Sequence, residues 1–346
     1  MLKSYIHSFL NSKEEGFSGN ILVVDQGETI YKESFGKANY EWDIPNTAIT
    51  KFRIGSVTKI FTTIAILMLV EEQKLQLHNT VDNFIPNFPK GNQIMIEHLL
   101  THTSGIGNIT DQPDFLLKSY QLQSPDDLIN WIISCSFKSI PGKEFNYSNS
   151  GYIVLGKIIE MTSGLSYEEF LKQKILQPLS MLNTGLDYNV AIQKYKASGY
   201  ELEKNNIYHA SFINMSNTYS AGGLFSTVED LQLLDDAIKN NCLLSKNITT
   251  QMLSSGRFGH GYGWNITKTK KNNTLIFHHG GINGFTSSYL RLIESDATII
   301  VLSNISTLLT STVANQIVSY IENRGTDSFS YEKKHDNGLG VIPKSF

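Results

Sequence analysis

The sequence predicts an α+β protein, α/β in the broad sense: one antiparallel sheet built from both ends of the chain and flanked by helices, with a mostly helical stretch inserted between. Three observations predict it. Apolar, β-branched runs occur early, within 20–35, and return only late, within 274–302. Between them, apolar residues recur mainly at helical spacings of three and four. Clusters of Gly, Asn, Ser and Pro separate those periodic stretches without forming any repeat. The sheet portion is therefore expected over about 1–55 and 272–323 and the helical insertion over about 56–271, with a polar, unpatterned tail at 324–346 that reads as flexible.

The elements follow in order. Residues 1–15 carry an amphipathic helix pattern. Asn20–Val24 and Glu28–Phe35 flank Asp25-Gln26-Gly27, which reads as a β-hairpin. From Ser56 the pattern turns helical, with Ile60, Phe61, Ile64, Leu67 and Met68 on one stripe. Further helices are expected over 126–134, 151–162, 166–176 and 227–238, the last capped by Ser226 or Thr227 with Glu229 and Asp230 in its first turn. Strands return at 274–277, 287–292 and 297–302, and a final helix covers about 308–321.

Composition narrows the function. The chain has 346 residues, is 40% hydrophobic and 18% charged, and carries a formal net charge of −3, so it can bury a large core and is not globally disordered. A weakly acidic chain without a basic cluster lacks the footprint of a nucleic-acid binder. The most apolar stretch, 60–70, contains Thr62 and Thr63 and is too short to span a bilayer. No secretory leader is legible, so the residues as they stand predict a cytoplasmic protein; a leader upstream of them would make it periplasmic or secreted. Cys135 and Cys242 are too few for a disulfide scaffold and read as reduced core residues.

Two motifs lead nowhere. Gly151 to Lys157 has phosphate-loop spacing, but Ile158 stands where a hydroxyl must reach a metal ion. His98 and His102 are four apart, yet Leu99 occupies the place of the general-base glutamate in a zinc-protease helix. Both histidines read as braces for the loop that includes Ser104, and Arg53 and Asp230 as buried structural partners.

Chemistry gathers at three other places. Ser56 and Lys59, three apart at a helix start, share a face, and a lysine in a water-poor pocket can become the base that activates a serine. The Ser56 N–H at a helix N-terminus suits one half of an oxyanion hole. By itself this spacing arises by chance in a chain of such length. Tyr147-Ser148-Asn149 follows Pro141-Gly142; a tyrosine near a lysine can be held partly as phenolate and relay protons, and Asn149 can orient lysine and substrate. Alone, the tripeptide reads more readily as a plain turn into a helix cap. His278-His279-Gly280-Gly281 closes a strand, and its glycines let a substrate lie along the strand edge, with a backbone N–H for the oxyanion, or else make a simple turn.

Taken together and in this order, the three motifs resemble the serine β-lactamase and penicillin-recognising family, which carries Ser-x-x-Lys, then Tyr-x-Asn or Ser-x-Asn, then Lys-Thr-Gly or His-x-Gly. Phe52–Lys59, Leu75–Val81 with Pro86, His98–Gly105, Phe145–Tyr152, Ala221–Leu224 with Ser226-Thr227, and His279–Phe285 are also similar to its recurring blocks, so the resemblance covers roughly 17–322. Tyr147 points to the class C, esterase and D-peptidase branch. The resemblance implies a β-lactamase/transpeptidase-like fold and a cleft site needing no metal or cofactor. It implies Ser56 as nucleophile, Lys59 and Tyr147 as shared acid and base, and Asn149, His278, His279 and Gly280 as substrate-binding residues, with the N–H groups of Ser56 and Gly281 as oxyanion hole. His278 stands where the antibiotic-degrading enzymes have lysine, which weakens the grip on a substrate carboxylate. The implied activity is hydrolysis of a small ester or a D-amino-acid peptide or amide through an acyl-enzyme. Acyl transfer, weak β-lactamase or DD-peptidase action, and non-catalytic binding on the same fold are the alternatives.

Overall fold

The computed structural model describes residues 1–13, 16–204 and 206–324. Its centre is a six-stranded antiparallel sheet. The strands are β1 (Gly19–Asp25), β2 (Glu28–Phe35), β3 (Asn265–Lys268), β4 (Thr274–Ile282), β5 (Phe285–Leu292) and β6 (Ala297–Ser303), in the order β3-β4-β5-β6-β1-β2. The first strand thus lies between its hairpin partner and the last strand, with Ile21 opposite Val301 and Glu33. The hairpin turns at Gln26 and Gly27, both at positive φ, as the tight turn of a right-twisted hairpin requires.

Alternation along the central strands divides the core. Ile21, Val23, Ile299 and Val301 face helices α1 (Leu2–Asn11) and α6 (Leu309–Asn323), whose apolar stripes Leu2-Ile6-Phe9-Leu10 and Leu309-Val313-Ile317-Ile321 cover that side. Leu22, Val24, Ile300 and Leu302 face the opposite way, into a larger core with α2 (Thr58–Glu71), α3 (Pro125–Ser134), α4 (Asn149–Ser163) and α5 (Val228–Lys239). Strand β1 is buried along its whole length because both its faces are covered. Helix α2 is apolar nearly all round, as befits a helix enclosed by others.

Most expected elements form, and the differences have local reasons. Strand β4 runs through His278–Ile282 instead of stopping at Phe277, since its glycines pair with Thr286 and Ser287 of β5. The short polar strand β3 carries little apolar pattern and escapes a sequence reading. The helix expected over 166–176 is α-helical only over Tyr167–Leu171, then widens into a π turn over Lys172–Leu176. The insertion also holds small sheets, among them the hairpin Tyr200–Glu203 and Asn206–His209. Thr227 caps α5 as expected, its Oγ1 accepting from the Asp230 N–H. Arg53 and Asp230 are not each other's partners: Arg53 pairs with Asp187 at 2.7 Å, while Asp230 accepts from Asn183 N and Thr184 Oγ1. Cys135 is buried, but Cys242 is exposed just past the end of α5 and is not a core residue. The expected tail lies outside the described residues, except for Arg324. No described helix is long and apolar enough to cross a membrane.

Candidate active site

Ser56 sits in a 3-10 turn, Gly55–Val57, that runs directly into α2. Gly55 adopts φ +48°, and a Cβ there would come within 2.8 Å of Gly281 N. A Cβ on Gly280 would overlap the Ile54 carbonyl oxygen. Glycine is therefore required on both sides for the serine turn to lie against the backbone of β4. Strand β3 pairs with β4 only as far as Phe277, so the edge of β4 that follows, His278 to Gly281, is not covered by that neighbour.

Lys59 follows one helical turn after Ser56 and is fully buried. Its Nζ lies 3.0 Å from Ser56 Oγ, and donates to Asn149 Oδ1 at 2.8 Å and to the Ala221 carbonyl at 2.7 Å. The Tyr147 and Tyr152 rings flank the same amine at 5.0 and 5.5 Å from their centroids. Burial holds the Lys59 pKa well below the usual lysine value. Tyr147 donates its hydroxyl to Ser56 Oγ at 2.9 Å. Burial also raises the Tyr147 pKa above its ordinary 10, a rise that the Ser56 bond only partly offsets. Burial thus favours the phenol form of Tyr147 over the partial phenolate that a neighbouring lysine can support.

Asn149 is the first residue of α4, where Ser148 is the N-cap, its Oγ accepting from Gly151 N. The Asn149 N–H is held by Asn108 Oδ1 at 3.1 Å. The turn into a helix cap and the catalytic tripeptide are therefore one structure.

His278 is buried with its ring 6.5 Å from that of Tyr147. Its Nδ1 donates to the His279 carbonyl at 2.7 Å, and Nε2 is buried without a hydrogen-bond partner. Burial, and then the nearby Lys59, push its pKa well below 6.5, so the ring is neutral. His279 hangs from the opposite face of the strand, its Nδ1 2.9 Å from Ser288 Oγ and its ring 5.1 Å from Phe277. Ser56, Lys59, Tyr147, Asn149 and His278 thus come together, with the Gly280-Gly281 backbone beside the Ser56 turn, while the His279 ring turns away.

Three participants escaped the sequence reading, and a fourth, His102, was read only as a brace for the Ser104 loop. The Ala221 carbonyl holds Lys59, Asn108 holds the Asn149 N–H, the His102 ring packs on that of Tyr147, and His260 lies against His102. Ala221 and His102 lie in blocks that already stood out by resemblance, which was the available signal. His98 and His102 do not share a helix face: the helix of His98 ends at Leu100, and His102 follows at φ +54°. Among the described residues no group of three or more His, Cys, Asp or Glu could hold a metal ion.

Comparison with known proteins shows the family and the fold. The model of the family described as Beta-lactamase matches residues 12–317. The chain is 33% identical over 279 residues to PbpX of Bacillus subtilis (strain 168), covering 79% of this chain and 67% of that protein. It is 30% identical over 302 residues to Protein flp of Staphylococcus aureus (strain MRSA252), but spans only 59% of flp. Among solved structures, the octameric penicillin-binding protein homologue from Pyrococcus abyssi superposes with a TM-score of 0.84 at 30% identity, over 93% of this chain and 78% of that one. The expected sheet with flanking helices is the architecture of that homologue.

Proposed function

We infer that this chain, which belongs to the beta-lactamase family, is a serine hydrolase that works through an acyl-enzyme on a small ester or a D-amino-acid peptide or amide. The carrying observation is the meeting of Lys59 Nζ and Tyr147 Oη at Ser56 Oγ, at 3.0 and 2.9 Å. A neutral amine has two N–H bonds and one lone pair. Asn149 Oδ1 and the Ala221 carbonyl take the two N–H bonds, so the lone pair is left for the Ser56 hydroxyl proton. Burial of Lys59 favours that neutral form.

In this reading Ser56 Oγ attacks the substrate carbonyl carbon as its proton passes to Lys59. The N–H groups of Ser56 and Gly281 stabilise the oxyanion. Tyr147 gives its hydroxyl proton to the leaving oxygen or nitrogen, the bond to the acyl group breaks, and the proton on Lys59 restores Tyr147. Water then attacks the Ser56 ester by the same steps in reverse roles. Asn149 and the His278–Gly280 edge receive the substrate, His279 through its main chain. The neutral His278 offers no cation to a carboxylate, which favours substrates without a free carboxylate beside the scissile bond.

The test is intact-protein mass spectrometry of wild type and Ser56→Ala with a fluorophosphonate, a p-nitrophenyl ester and a penicillin, with ester turnover followed in parallel. Wild type is expected to gain one fluorophosphonate adduct and hydrolyse ester, while Ser56→Ala does neither. Two unmodified proteins would remove the active-serine reading. A cephalosporin efficiency equal to that on simple esters would remove the substrate preference.

A further inference from the structure

We propose that His102 is the positioning residue of Tyr147, bracketing the tripeptide that carries it and backing its ring; this rests on the Ser56 reading above. One residue makes all three contacts. The His102 carbonyl accepts from the Asn146 N–H at 2.8 Å, and its Nδ1 accepts from the Ser148 N–H at 3.1 Å. Tyr147 lies between those two anchored amides. The His102 ring packs on the Tyr147 ring at 4.4 Å between centroids, tilted by 33°.

The other side of His102 is equally fixed. Tyr152 lies 5.1 Å away at a 36° tilt and is itself tied by its hydroxyl to the Leu100 carbonyl. His260 and Phe145 meet the ring at steep angles, with centroids at 5.0 and 5.8 Å. His102 can rotate only by displacing one of these rings, so the Tyr147 hydroxyl is held at Ser56 Oγ with little freedom.

Few side chains can do this. The position has φ +54°, which histidine and asparagine tolerate better than most. Asparagine supplies an acceptor but no ring, and phenylalanine a ring but no acceptor. Imidazole supplies both only while Nδ1 keeps its lone pair, that is, while neutral. Burial and the neighbouring His260, Lys59 and His278 all oppose a positive charge on it. The acceptor role of Nδ1 places the ring proton on Nε2.

The experiment compares wild type with His102→Asn and His102→Phe, each checked for folding by its thermal transition. In ester hydrolysis both variants are expected to lose about 10- to 100-fold in kcat with KM little changed, the scale of a catalytic group displaced by about an ångström. His102→Asn, which keeps an acceptor, loses less than His102→Phe, and the alkaline limb of the pH profile moves in both. Hydrogen exchange at Asn146 and Ser148 provides a second readout that needs no turnover, and it speeds up in His102→Phe. Folded variants with unchanged kcat, pH profile and exchange overturn the positioning role. Should wild type neither label nor turn over ester, the serine reading falls, and the exchange result alone still decides whether His102 holds the Tyr147 segment.

Discussion

At the scale of single residues, the site is an arrangement of charges that burial suppresses. Lys59, His102, His260 and His278 are all pressed toward the neutral form. The Ser-x-x-Lys spacing was readable from sequence because one helical turn guarantees the proximity of its ends. The upward push of burial on the Tyr147 pKa was not, because it depends on how much water the folded chain excludes. His102 was unreadable as a partner of Tyr147 for a related reason: its left-handed backbone and its contacts arise only when two distant loops meet. Burial also has a thermodynamic signature. His260 and His279 are both taken down to about 4 in the folded chain, whereas an unfolded chain takes up protons there near pH 6.5. Between those values the unfolded state binds more protons, so stability falls as pH drops from about 6.5 to 4 and is restored above it. The expected loss is on the order of 3 kcal/mol per ring. Urea unfolding at stepped pH should show it, with a shallower slope in His260→Gln; an identical slope would remove His260 from the account.

At the scale of elements, the contact between the Gly55–Val57 turn and β4 decides whether the serine meets the strand. Gly280→Ala would drive a methyl group into the Ile54 carbonyl, and neither partner is a flexible side chain that could yield. The variant should label with fluorophosphonate at least about tenfold more slowly than wild type, the scale expected for a misplaced nucleophile. Labelling at the wild-type rate in a folded variant would show that the close approach is not needed. Helix starts such as Thr227 were legible because capping is written locally in residue type. The extension of β4 through two glycines was not, because glycine is a poor strand former and only pairing with β5 keeps that segment extended.

At the scale of the whole molecule, strands at both ends and helices between were plain in the residue pattern, and so was the joining of those strands into one sheet. The polar ties between layers were not. Asp235 of α5 accepts from Tyr289 and Arg291 of β5 at 2.8 and 3.2 Å and from Thr298 of β6 at 2.7 Å, all within the interior. Asp235→Ala strips Arg291 of this buried counter-charge and should cost about 3–5 kcal/mol. Denaturant unfolding measures that loss directly, and a loss below about 1 kcal/mol would mean that Arg291 finds Asp296 sufficient, 3.7 Å away.

The pairing of β1 with β6 has a further consequence, in time instead of space. Ile21 and Val301 are direct neighbours in the sheet, although 280 residues separate them along the chain. As the polypeptide leaves the ribosome, the hairpin of β1 and β2 waits with one long edge unpaired while the entire helical stretch is synthesised. Closing so distant a pair is entropically slow. The nascent chain therefore presents an open, apolar strand edge for much of its synthesis, the feature by which chaperones and unwanted neighbours alike recognise an unfinished protein.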